Sequence, residues 1–96
     1  MTVDELKKAI VEIAKENNIQ IVILFSSRAT GSSKDNSDFD LAVKPSTLEG
    51  FFDFVSELEE LPTLLMFDVI NLQSDMISLN VLDSIEKEGQ VLYEAV

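Results

Sequence analysis

The chain predicts a small α/β (α+β) fold, a mixed β-sheet packed with helices, and three observations carry that expectation. Short β-branched runs alternate with stretches of helical periodicity, and capping signals precede the helical stretches. The length, 96 residues, suffices for one modest core and is too short for two, so residues 1–96 are expected to form a single domain.

Thr2 and Glu5 spell a capping box, and Leu6, Ile10, Ile13 and Ala14 follow at helical spacing. That predicts a first helix from about Val3 to Asn17, with Asn17-Asn18 as its stop. Ile19 to Phe25 is aliphatic, β-branched and too short for another helix, hence a buried strand. Ser26 to Ser33 reads as a loop with room to open a short helix. Asp38 to Val43 alternates polar and apolar residues as a second strand, ending at Lys44-Pro45. Ser46 with Glu49 repeats the capping pattern and opens a helix to about Glu60, with Leu48, Phe51, Phe52, Val55 and Leu58 as its core stripe. Phe54 and Leu61 fall off that stripe, either as core periphery or as part of a partner-facing patch. Thr63 to Leu72 is a third strand, apolar around Asp68. Ser74 or Asp75 caps a last helix through Glu88, Gly89 stops it in the left-handed conformation, and Gln90 to Glu94 forms a short edge strand.

Composition narrows the chemistry. With no cysteine and no histidine, disulfides, thiol nucleophiles, zinc–thiolate sites and the commonest general base are all excluded. Any metal must be held by oxygen, which points to Mg²⁺, Mn²⁺ or Ca²⁺. No apolar run approaches the ~20 residues a bilayer needs, and Met1 to Asn17 lacks a signal-peptide pattern. A cytoplasmic protein without a membrane partner is therefore expected. The net charge of −11 is uneven: residues 45–96 carry eleven acids against one base, Lys87. Such a surface repels nucleic-acid backbones, so a polynucleotide partner is disfavoured. The acidic half is either a solvated surface or a docking face for a basic protein.

The functional signal lies in Phe25-Ser26-Ser27-Arg28-Ala29-Thr30-Gly31 and, six residues on, Ser37-Asp38-Phe39-Asp40-Leu41. A small-residue turn after a strand can cradle phosphate oxygens with its backbone N–H groups, although serine is common in any turn. Ser27 would add its hydroxyl, Ser26 chiefly its N–H, and Gly31 a turn that other residues would strain. Arg28, Lys34 and Lys44 flank the region; Lys44 shares strand parity with the aspartates and is placed to meet a phosphate, while at least two of the three bases are expected to be solvated.

Asp38 and Asp40 are expected on one face of a strand, with Phe39 and Leu41 on the other. Two adjacent carboxylates repel unless a cation or hydrogen bonds neutralise them. The plain alternative puts Asp38 in a turn and Asp40 in solvent; a calcium loop fits less well, since its turn glycine is missing. Asp68, embedded in Leu64-Leu65-Met66-Phe67-Asp68-Val69-Ile70, can join the pair if the third strand lies beside the second. Otherwise it ends a strand or accepts backbone hydrogen bonds. Three carboxylates suit two divalent cations, and a two-ion site can clamp an in-line displacement at phosphorus without His or Cys.

These residues resemble the minimal nucleotidyltransferase (MNT) group of the DNA polymerase beta superfamily. The likeness rests on Ser27, ten intervening residues, Asp38-Phe39-Asp40, and a later Asp68 on an apolar strand. The Arg28-Ala29-Thr30-Gly31 run, the Ser37-Asp38-Phe39-Asp40-Leu41 spelling and the closing Glu88-Gly89-Gln90-Val91-Leu92-Tyr93 are similar too. The resemblance implies a polymerase beta-like fold that binds ATP with Mg²⁺ and transfers AMP to a hydroxyl. Asp38 and Asp40 would ligate the metal, Asp68 would be the third carboxylate, a ligand and the base, and Ser26, Ser27, Arg28 and Gly31 would bind the nucleotide. It further implies a helical HEPN-type partner, adenylylated and silenced within a toxin–antitoxin pair. Ser26 stands where the family has glycine, which weakens catalysis if that glycine serves close phosphate approach or positive φ.

So short a chain has no second domain to hold an acceptor, so a partner chain or a homodimer should complete the site. Beside the enzyme stands a reading from another class, a binding-only antitoxin subunit that masks a basic partner while nucleotide stabilises it. A third reading is transfer to a small molecule such as an aminoglycoside in a dimer cleft.

Overall fold

The computed structural model describes residues 1–25 and 39–95. The elements are α1 (Val3–Glu16), β1 (Ile19–Phe25), β2 (Phe39–Pro45), α2 (Leu48–Glu59), β3 (Phe67–Asn71), α3 (Leu79–Glu88) and β4 (Gln90–Glu94). Four strands form one mixed sheet in the order β3-β2-β1-β4. β1 is antiparallel to both β2 and β4, whereas β2 and β3 are parallel. A parallel pair needs a long crossover, and the segment carrying α2 supplies it.

α1 begins as its sequence dictates. The Thr2 hydroxyl accepts from the Glu5 N–H at 3.1 Å, and the Thr2 N–H donates to the Glu5 carboxylate at 2.7 Å. Hydrogen bonds from the Thr2 backbone and side chain hold the Glu5 carboxyl below the usual carboxylate range. The helix ends at Asn17, and Asn18 turns the chain at φ 58°, a left-handed conformation that asparagine tolerates better than most residues.

The sheet divides two unequal layers. On one face Leu6, Ile10, Ile13 and Ala14 of α1 pack with Val22, Leu41, Val43, Phe54 and Leu58 as the main core. On the other, Phe25, Ala42 and Val81 form a smaller cluster with Ile23, Ile70, Ile77 and Ile85, under α3.

α2 is rotated from the orientation its apolar spacing predicts. Phe54 is fully buried and Leu61 packs against the main core, while Leu48 and Phe52, expected inside, are more than half exposed. The seated face runs Gly50–Phe54–Leu58, one residue every four. At Gly50 an added Cβ would lie 2.6 Å from the Asn17 carbonyl oxygen, so this bare position lets α2 approach the end of α1. A stripe weighted by apolar side chains overlooks a glycine. Thr47, not Ser46, is the cap, its hydroxyl accepting from the Gly50 N–H at 3.0 Å. The Asn17 side-chain amide also donates to the Glu57 carboxylate, tying the two helices together.

Other boundaries also shift. β3 starts at Phe67 rather than Thr63, because Thr63 turns the chain, its hydroxyl accepting from the Leu65 N–H. α3 starts after Ser78, whose hydroxyl accepts from Val81, rather than after Ser74 or Asp75; Ser74 serves a turn to Met76 instead. Gly89 is extended (φ −66°, ψ 136°), not left-handed. It is crowded instead, since an added Cβ would sit 2.3 Å from the Ile85 carbonyl oxygen. No described helix is long and apolar enough to cross a membrane.

The Gly50 contact makes a test of opposite signs. Helix propensity alone gives Gly50→Ala a gain of roughly 1 kcal/mol. Overpacking against the Asn17 carbonyl gives a loss of about 1–3 kcal/mol. Urea denaturation should show the loss.

Candidate active site

The candidate site lies where the parallel pair begins. Phe39 pairs with Phe67 and Asp40 with Asp68 in the β2–β3 register. Alternation along each strand sends the phenylalanines to the main core and the aspartates to the opposite face. Beneath the sheet the two rings lie 5.7 Å apart, centroid to centroid, and tilted 36°. Such a pair pins register, since slipping one strand by one residue would bring a Phe up to the aspartate face.

Above the sheet, Asp40 is only 5% exposed and Asp68 is half-buried. Their backbones stand about 4.8 Å apart, the ordinary spacing of neighbouring strands. Asp40 is flanked on its other side by Phe25, the last residue of β1 and itself buried. Two carboxylates are thus held side by side with one apolar neighbour, an arrangement in which like charges repel and a cation is attracted.

Of the residues expected in the site, then, the structure brings Asp40 and Asp68 together. Ser26, Ser27, Arg28, Gly31 and Asp38 lie outside the described residues. Among the described residues no group of three or more metal-ligating side chains forms, and the described part of the site is a pair. Lys44 does not approach it. It is exposed near the far end of β2, four residues and about 13 Å from Asp40. Lys7, not among the residues expected in the site, lines a cavity of about 390 Å³ with Phe25, Phe39 and Glu88, at the same end of the sheet. No local sequence signal marks that placement, which depends on how α1 crosses β1.

The sequence matches the family described as Polymerase beta, Nucleotidyltransferase over residues 8–95. The chain belongs to this family. No curated protein matches it by sequence. Solved structures of similar fold include one chain of the MntA–HepT toxin–antitoxin complex, with TM-score 0.66 and 18% identity, over 96% of this chain and 73% of the other. A toxin–antitoxin complex with AMP-PNP gives TM-score 0.64 and 21% identity, over 93% and 73%. A complex of tri-AMPylated Shewanella oneidensis HEPN toxin with MNT antitoxin gives TM-score 0.66 and 18% identity, over 96% and 72%. At these identities the likeness is one of fold. The nucleotidyltransferase fold therefore presents Asp40 and Asp68 on neighbouring strands of its parallel pair.

In metal-free buffer, Asp68→Asn removes half of a repelling pair and should raise the unfolding free energy by about 1 kcal/mol. Thermal denaturation in EDTA measures it; a lowered midpoint would mean that the Asp68 charge is already compensated within the protein.

Proposed function

We propose that the chain is a Mg²⁺-dependent nucleotidyltransferase that moves AMP from ATP to a hydroxyl on a HEPN-type protein partner, as the antitoxin of a toxin–antitoxin pair. The observation that carries this reading is the pairing of Asp40 with Asp68 on a fold of this family. The likeness to chains from complexes holding AMP-PNP and an AMPylated HEPN toxin favours adenylate and a protein acceptor.

The donor set suits the expected ion. Asp40 and Asp68 offer only oxygen, and the chain has neither histidine nor cysteine to recruit softer metals. Asp38, outside the described residues, is assigned to the same set by motif spelling, as are Ser26, Ser27, Arg28 and Gly31 to the nucleotide phosphates. Bound there, one or two Mg²⁺ ions would neutralise phosphate charge and lower the pKa of the acceptor hydroxyl.

The protein's part is placement and proton transfer. Asp40, set between Phe25 and Asp68 in the strand register, would hold the ion that in turn positions the α-phosphate. Asp68, more open to solvent than Asp40, accepts the hydroxyl proton as the oxygen attacks the α-phosphorus. The new bond joins acceptor oxygen to phosphorus, the bond to the bridging oxygen breaks, and pyrophosphate leaves.

Incubation with α-labelled ATP, Mg²⁺ and a HEPN-type protein tests the reading, with label expected on the partner. Asp40→Asn should lower transfer by about 100-fold or more, as several kcal/mol of charge stabilisation are lost. Mg²⁺-dependent ATP binding by calorimetry without any label transfer would leave a binding-only antitoxin, and full activity in Asp40→Asn would overturn the site assignment.

A further inference from the structure

We propose that the cleft between β3 and α3, with the apolar row beside it, docks a basic polypeptide segment that inserts an aliphatic or aromatic side chain close to the carboxylate pair. This rests on the reading that the acceptor is a protein. The cleft holds about 440 Å³; Ile70, Ile77 and Val81 supply its apolar lining, and Asn71 and Ser78 its polar groups. Ile70 follows Asp68 by two residues on the same face of β3, so the cleft opens about 7 Å along the strand from that carboxylate. An acceptor anchored there would bring a neighbouring hydroxyl within reach of Asp68.

The surface beside the cleft is built for contact. Met76 lines the cleft and is 90% exposed, and Leu79, three residues on, is 82% exposed. Leu82 continues the row along α3 and is also exposed. Single exposed apolar residues are ordinary, but a row beside an apolar cleft marks an interaction site.

Charge selects the occupant. Asp68 through Glu86 contains four carboxylates and no base, and Lys87, just beyond, is paired with Asp83 at 3.2 Å. Asp83 and Glu86 share the α3 face of Leu79, at four and seven residues from it. A second copy of this chain would bring the same acids and be repelled, as would a nucleic-acid backbone. A segment with Lys or Arg around an apolar anchor is attracted by both features.

The test uses fluorescence anisotropy of a labelled amphipathic peptide of Leu, Lys and Arg against the full chain. M76S/L79S should weaken binding roughly tenfold or more, and D75N/E86Q should weaken it several-fold, with thermal midpoints unchanged. Equal affinity in the M76S/L79S protein, or equal binding of a Lys/Ser peptide of the same charge, would overturn the proposal. So would a dimer in light scattering that M76S/L79S dissolves, which would assign the face to a second copy. Calorimetric binding of ATP with Mg²⁺ should be unchanged in M76S/L79S. Its loss in Asp40→Asn, or its persistence there, judges the nucleotide reading separately from the peptide result.

Discussion

The parallel register of β2 on β3 is the constraint from which the rest of the site follows. Parallel neighbours cannot be joined by a tight turn, so the chain must leave the sheet after Pro45 and return at Phe67, and α2 occupies that excursion. The register is then held from below. Phe39 and Phe67 meet in the main core, and one residue along each strand the alternation of the backbone sends Asp40 and Asp68 upward together. The apolar contact and the polar pair are thus one decision read on two faces. Burial of the rings offsets the cost of bringing two negative charges to neighbouring positions.

The unequal layers make that cost tolerable. Most of the buried apolar surface lies on the face covered by α1 and α2, including fully buried Leu6, Ile10, Leu41 and Phe54. The α3 face carries a smaller cluster, with Phe25 beside Asp40 and with Ala42 and Ile70 following the two aspartates along their strands. Stability is concentrated where no polar group has to be accommodated, and the other face can carry charge. The same division explains why α2 must seat closely: Gly50 against the Asn17 carbonyl and the Asn17 amide on Glu57 fix the helix that spans the crossover.

Local signals in the sequence were legible where one interaction decides the outcome. The Thr2–Glu5 capping box, the Asn17-Asn18 stop, the strand at Ile19 and the alternation of Phe39, Asp40 and Leu41 all depend on neighbours in the chain, and each has its expected form. The convergence of Asp40 and Asp68 was legible only as a condition, because strand adjacency is a tertiary fact. The misreadings share a cause. Phe54 falls off the core stripe that periodicity draws because periodicity counts side chains, and the position that orients α2 is a glycine with none. Gly89 reads in the sequence as a conformational requirement and is a packing one, since an added Cβ would meet the Ile85 carbonyl oxygen. Lys44 shared the parity of the aspartates, but parity says nothing of distance along a strand. Ser78 displaced Ser74 as the α3 cap because two serines four residues apart offer the same local chemistry, and a turn at Asn71 to Met76 uses the first.

The composition and the site point to one electrostatic logic. A chain with eighteen acids, seven bases and no histidine sets two of its carboxylates, Asp40 and Asp68, opposite each other in one strand register. Residues 1–44 are nearly balanced in charge, whereas residues 45–96 carry eleven acids against one base. Under the proposed function, divalent ions would relieve the repulsion between the paired carboxylates, and under the docking proposal a basic polypeptide would relieve it around the cleft beyond Asp68. Both would be drawn to the same side of the sheet by the same field, and the like charge that raises the cost of the pair would be what gives each of them its affinity. A neutral surface around the same two aspartates would be more stable alone and a weaker site for either.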